Sequence, residues 1–115
     1  MEKIEIGDAT ILLDAVDTDR DGRTVYGYSI RIGGVEPTHQ ARDLRSGCQG
    51  GTEREGLASL LSFLSAAAES RRYRERTGRE GDNEDLFPAE IVDWACQYSD
   101  EIAVASLELE GGDQC

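Results

Sequence analysis

The chain has 115 residues, with 24 acids against 12 bases and a formal charge of −12, a field that repels phosphate and disfavours direct contact with nucleic acid or an anionic membrane surface. No apolar run approaches the roughly 18 to 20 residues that cross a bilayer, and the opening MEKIEIGD lacks the basic-then-apolar order of a signal peptide. The size fits one domain, residues 1–115, able to hold a core without metal or disulfides, and the odd set Cys48, Cys96 and Cys115 points to a reducing, cytoplasmic setting.

Residues 3–16 read as a strand. Ile4 and Ile6 alternate with charged residues, Gly7-Asp8 makes a bend or bulge, and Ile11 and Leu13 point away from Leu12, Asp14 and Val16. Residues 24–33 read as a second strand with Tyr26, Tyr28, Ile30 and Ile32 on one face. The two form an antiparallel hairpin. In the turn, Asp17, Asp19, Asp21 and Gly22 match the opening of a calcium loop. The twelfth loop position is Tyr28 rather than an acid, so plain turn chemistry is expected.

Gly33-Gly34 and Pro37 interrupt the pattern, and residues 38–51 show no clean period. A short third strand from Gln40 to Leu44 is the optional element here, with a glycine loop behind it. Cys48 in that loop would feel the N-terminus of the following helix, and His39 would be its base. This sketches a cysteine nucleophile, but a single histidine and a single cysteine fall short of the placed groups that catalysis needs. The set His39, Cys48, Cys96 and Cys115 lacks the closely spaced ligand pairs of structural zinc sites. GCQGGT lacks the lysine and spacing of a phosphate loop. No enzyme, metal or cofactor is therefore expected.

LASLLSFLSAAA, from Leu57 to Ala68, is the longest apolar stretch. Leu57, Leu60, Leu61, Leu64, Ala67, Ala68 and Arg71 follow one helical face. Thr52 with Glu55 is a capping box and Gly78 a stop, giving a helix over about 53–77. Ser59, Ser62 and Ser65 offer a side that a sheet could approach closely. The end of the helix carries Arg71, Arg72, Arg74, Arg76 and Arg79 around Tyr73, which resembles a stacking patch for nucleic acid. Glu69, Glu75 and Glu80 interleave, so a solvated helix end, or one folded back on the acidic C-terminal third, is the plainer expectation.

Pro88 suits the first position of a last helix over about 88–109. Ile91, Ala95, Tyr98, Ile102, Ala105 and Leu109 form its apolar stripe, with Trp94 beside it. The rival reading breaks the helix near Ser99 and makes Ile102–Leu109 a strand. From Asp82 onward the chain holds ten acids and no base. Glu84, Asp85, Glu90, Asp93, Asp100, Glu101 and Glu108 are the expected contact residues for a basic partner.

The expected fold is α+β: an antiparallel sheet of two or three strands, built on the hairpin 3–16/24–33, with two helices packed on one face. The expected activity is non-catalytic binding to a basic, nucleic-acid-handling protein, as an inhibitor or regulator. In charge and size the chain resembles short acidic proteins that mimic DNA, including phage-encoded inhibitors of host defence, although no motif ties it to a family. The alternatives are an assembly protein that homodimerises through a sheet edge or the Trp94 surface, and a small enzyme using Cys48 and His39.

Overall fold

The computed structural model describes residues 1–34, 37–79 and 87–110, apart from the side chains of Cys48 and Glu110. The strands are β1 (Glu2–Ile6), β2 (Ala9–Thr18), β3 (Arg23–Ile32) and β4 (His39–Gln49). The helices are α1 (Glu53–Thr77), α2 (Ala89–Gln97) and α3 (Ser99–Glu110). All four strands are antiparallel neighbours in the order β1-β2-β3-β4. The α+β class is as expected, but both element counts exceed the expectation.

The expected strand 3–16 is two strands. Ile6 stands opposite Ala9 across the two residues Gly7-Asp8, which form a turn rather than a bulge. Gly7 has φ 61°, the positive value that opens a II′ hairpin turn at its first central position. The ring of Tyr98 lies directly over Gly7, where any side chain would collide with it.

The expected short strand and glycine loop are instead one eleven-residue strand, β4. Two irregularities hide its period. Gly27 of β3 stands opposite both Arg42 and Asp43, and Thr24 stands opposite the three residues from Ser46 to Cys48. The extra residue opposite Gly27 switches the faces, so that His39 and Ala41 before it share the inner face with Leu44 and Ser46 after it, and no single period of two runs through the strand.

Ile11, Leu13, Tyr26 and Ile30 are fully buried on one sheet face, against the Leu57, Leu60, Leu61, Leu64, Ala67 and Ala68 stripe of α1. Tyr26 fixes how α1 crosses. Its hydroxyl donates to the Thr52 carbonyl at 2.6 Å, and Gly56 leaves room for its ring. Burial, then the charge of Glu55, push the Tyr26 phenol up to about 12, so it stays a donor at neutral pH. Thr52 caps α1 by accepting from the Glu55 amide at 3.1 Å. The Glu55 carboxylate accepts from the Gly47 amide at 3.3 Å, which ties β4 to the start of α1. Gly78 ends α1 in the left-handed conformation at φ 74°.

The expected helix 88–109 is two helices with Tyr98 between them, at φ −112° and ψ 28°. Arg72 of α1 donates to the Cys96 carbonyl at 3.0 Å and to Ser99 Oγ at 2.6 Å. A side chain entering the helical ladder at a carbonyl is a recognised cause of a kink. Residues 102–109 are helical, not a strand. Ile91, Ala95 and Ile102 of the apolar stripe are buried, and Tyr98, Ala105 and Leu109 pack partly against the core. The close-approach side of α1 meets a helix rather than the sheet: Ser62 Oγ lies 3.1 Å from Ser106 Oγ of α3. No helix among the described residues is long and apolar enough to cross a membrane.

Candidate partner-binding groove

α3 runs antiparallel to α1. Arg54 near the start of α1 donates to the carbonyls of Glu108 and Leu109 at 3.1 and 3.3 Å, which neutralises the negative end of α3. This lays the other side of α3 along β1. Between them lies an open groove of about 420 Å³ lined by Ile4, Glu5, Ile6, Gly7, Asp100, Glu101, Val104, Ala105 and Glu108. Asp100, Glu101, Val104, Ala105 and Glu108 reach it together because their spacing follows one side of a helix. The floor is apolar, and the α3 rim carries three acids, Asp100, Glu101 and Glu108. Val104 is 55% exposed, a large aliphatic side chain with no cover. Lys3 and Glu5 pair at 3.6 Å on the neighbouring surface, an exposed contact of the kind worth little.

The expected contact residues divide. Asp100, Glu101 and Glu108 come together on this groove. Asp93 is instead paired with Arg71, whose side chain is only 13% exposed. Its carboxylate therefore serves the α1–α2 contact. Glu90 is exposed in the first turn of α2, outside the groove lining. Glu84 and Asp85 lie outside the described residues, as do Asp82, Asp113 and Cys115. Ile4, Glu5 and Val104 belong to no motif in the sequence that marks them for this groove. Recognising Gly7-Asp8 as a hairpin turn would have exposed β1 as an edge strand.

The other candidate constellations come apart. Asp19 Oδ1 accepts from the amides of Asp21 and Arg23, both at 2.9 Å, and Asp17 Oδ1 accepts from the Thr18 amide at 2.8 Å. These are turn bonds, as expected of aspartates in a hairpin loop. Among the described residues no group of three or more His, Cys, Asp or Glu is placed to hold a metal ion. Cys48 is in β4 rather than a loop, and His39 begins the same strand. At about 3.3 Å of rise per residue their backbones stand roughly 25 to 30 Å apart, too far for nucleophile and base. Cys96 Sγ lies 3.6 Å from the Ala68 carbonyl, and burial pushes its thiol pKa up. The arginine-rich end of α1 folds partly back, through Arg71 and Arg72, onto α2 and its junction with α3. From Arg72 to Arg79 every residue is exposed.

His39 packs between the rings of Tyr28 and Phe87, with centroids at 5.7 and 5.8 Å. Its Nε2 is 3.3 Å from Tyr28 Oη. Burial lowers its pKa from the ordinary 6.5, against the opposing pull of Asp43. The unfolded chain therefore takes this proton first. The His39 contribution is present above pH 6.5 and is lost as the pH falls through the lower folded value. Urea titrations of the wild type and His39→Gln at pH about 7.5 and 5.5 should show the larger acid-induced loss in the wild type. Equal losses would refute this role for His39.

The sheet face opposite the helices is also open. Met1, Leu12, Val16, Gly27, Ser29 and Arg42 are among the residues around a shallow concavity of about 580 Å³ there. No family model, curated protein or solved structure matches the chain.

Proposed function

We propose that the protein is a non-catalytic binding module whose acidic α2–α3 side occupies a basic, nucleic-acid-handling surface of a partner protein, as an inhibitor or regulator. The observation that carries this reading is the groove between β1 and α3, where Asp100, Glu101 and Glu108 border an apolar floor. Acids at the rim steer a cationic surface into place, and the apolar floor supplies burial once it docks. The run of ten acids without a base from Asp82 onward extends the same field. That field competes for sites that otherwise hold phosphate. The odd cysteine count fits a reducing, cytoplasmic setting for such a module.

The homodimer reading is supported by the open sheet edge at β1 and by the uncovered sheet face around Leu12 and Val16. The Trp94 surface does not support it, because Trp94 is only 4% exposed.

The test is a fourfold neutralisation, Glu90→Gln, Asp100→Asn, Glu101→Gln and Glu108→Gln. It spares Asp93, which is paired with the partly buried Arg71. The variant should fold like the wild type, because all four side chains are exposed. Against a partner captured from host lysate, it should bind at least about tenfold more weakly at about 0.05 M salt, with the gap closing toward about 0.5 M. Equal affinities for the two proteins at every salt concentration would overturn the acidic-surface reading.

A further inference from the structure

Among the described residues β1 is an outer strand of the sheet and pairs only with β2. Its hairpin closes on Ile6 and Ala9 around two residues, and so short a loop makes the flanking pair a hydrogen-bonded one. Alternation then turns the backbone groups of Glu2, Ile4 and Ile6 toward β2, and those of Lys3 and Glu5 out of the sheet. Both of these residues are exposed. An unpaired strand edge is a template for another strand, and this one borders a groove with an apolar floor.

Resting on the binding reading above, we infer that this edge takes an extended, lysine- or arginine-bearing segment of the partner protein as an additional strand. The backbone groups of Lys3 and Glu5 hydrogen-bond the segment. Its apolar side chains lie over Ile4 and Val104, and its basic side chains meet Glu101 and Glu108. Main-chain bonds give such strand addition its affinity, and the flanking pockets give it specificity. Charge decides the occupant. A second copy paired along β1 would gather two sets of the α3 acids Asp100, Glu101 and Glu108 at one edge, where like charges repel. A nucleic-acid strand meets four acids and no base on this lining.

The probe is a blocked peptide of about seven residues, with a Val-Thr-Val centre and lysines at both ends. A control peptide is N-methylated on the backbone of both valines and the threonine, which removes a donor to β1 whichever way the added strand runs. Backbone NMR of the wild-type protein should show amide exchange at Lys3 and Glu5 slowed about tenfold or more when the peptide binds. The methylated peptide should bind at least about tenfold more weakly at about 0.05 M salt. Lys3→Pro sharpens the test. It deletes an outward amide that takes no part in the ladder with β2 and removes a positive charge. Electrostatic attraction alone predicts tighter binding of the cationic peptide to this variant, whereas strand addition predicts weaker binding. Peptide binding that perturbs α3 without protecting Lys3 and Glu5 would overturn strand addition and leave the acidic-surface reading standing. Tighter binding by Lys3→Pro would do the same. No binding of either peptide would overturn the inference, while the fourfold neutralisation judges the broader reading separately. Protection of Lys3 and Glu5 without peptide, with a dimer in sedimentation, would assign the edge to a second copy instead.

Discussion

Leu64→Ala should lower the unfolding free energy by about 2 to 5 kcal/mol. Leu64 is 0% exposed at the centre of the α1 stripe. Truncation loses the transfer free energy of the removed atoms and leaves a cavity, whose cost depends on how far its walls can relax. Here the walls belong to a hydrogen-bonded sheet and to helices that Arg54, Arg72 and Ser62 hold in place. Such walls collapse poorly, which favours the upper half of the range. Leu107→Ala is the control, since Leu107 is 68% exposed on α3 and should change stability by no more than about 0.5 kcal/mol. Urea titration with an unchanged m-value measures both. A Leu64→Ala loss under about 1 kcal/mol would mean that the stripe does not form the core.

That stripe was legible because one signal dominates it. Leucine and alanine at helical spacing from Leu57 to Ala68, a capping threonine and a terminal glycine all specify the same helix, and α1 spans Glu53–Thr77. β3 was equally plain, since Tyr26, Tyr28, Ile30 and Ile32 alternate without interruption and all turn toward the core. β4 was not, because its extra residues opposite Gly27 and Thr24 are set by pairing with β3, which is not written in the local sequence. The α2–α3 junction shows only as the rival break near Ser99, for a related reason. The apolar stripe runs straight through Tyr98, while the bend comes with the hydrogen bonds of Arg72, more than twenty positions away in the chain.

The groove was half legible. The acids of the last helix stand out by charge alone, and Asp100, Glu101 and Glu108 do converge. Composition cannot distinguish them from Asp93, an acid on the preceding helix that is engaged by Arg71. Nor can it supply the opposite wall. Ile4 and Ile6 read as ordinary core residues of one long strand until the Gly7-Asp8 turn makes β1 an edge. A groove formed by two elements about a hundred residues apart depends on tertiary contacts, and those contacts run through Tyr98 on Gly7 and Trp94 on Ile6.

The Trp94 contact carries the second large effect. Trp94 is 4% exposed, and its indole Nε1 donates to the Ile6 carbonyl at 3.2 Å in a buried hydrogen bond. Its ring centroid lies 6.5 Å from that of Tyr98. Trp94→Ala should cost about 3 to 5 kcal/mol. Two terms compete to explain such a loss. A buried tryptophan removes on the order of 150 to 250 Å² from water, worth about 4 to 6 kcal/mol at the usual area coefficient. The hydrogen bond is worth only about 0.5 to 1.5 kcal/mol net, so burial wins. Trp94→Phe separates the terms, because it keeps most of the apolar body and deletes the donor. It should cost about 1 to 2 kcal/mol. The wild type reports on itself, since Trp94 is the chain's one tryptophan and its emission should shift to the red on unfolding. Far-ultraviolet circular dichroism follows the two variants. Equal losses for Ala and Phe would place the energy in the hydrogen bond instead. A loss under about 1 kcal/mol for Trp94→Ala would mean that α2 does not anchor the β1 turn. One wall of the groove would then lack its support, and the β1 edge would be free to shift relative to α3.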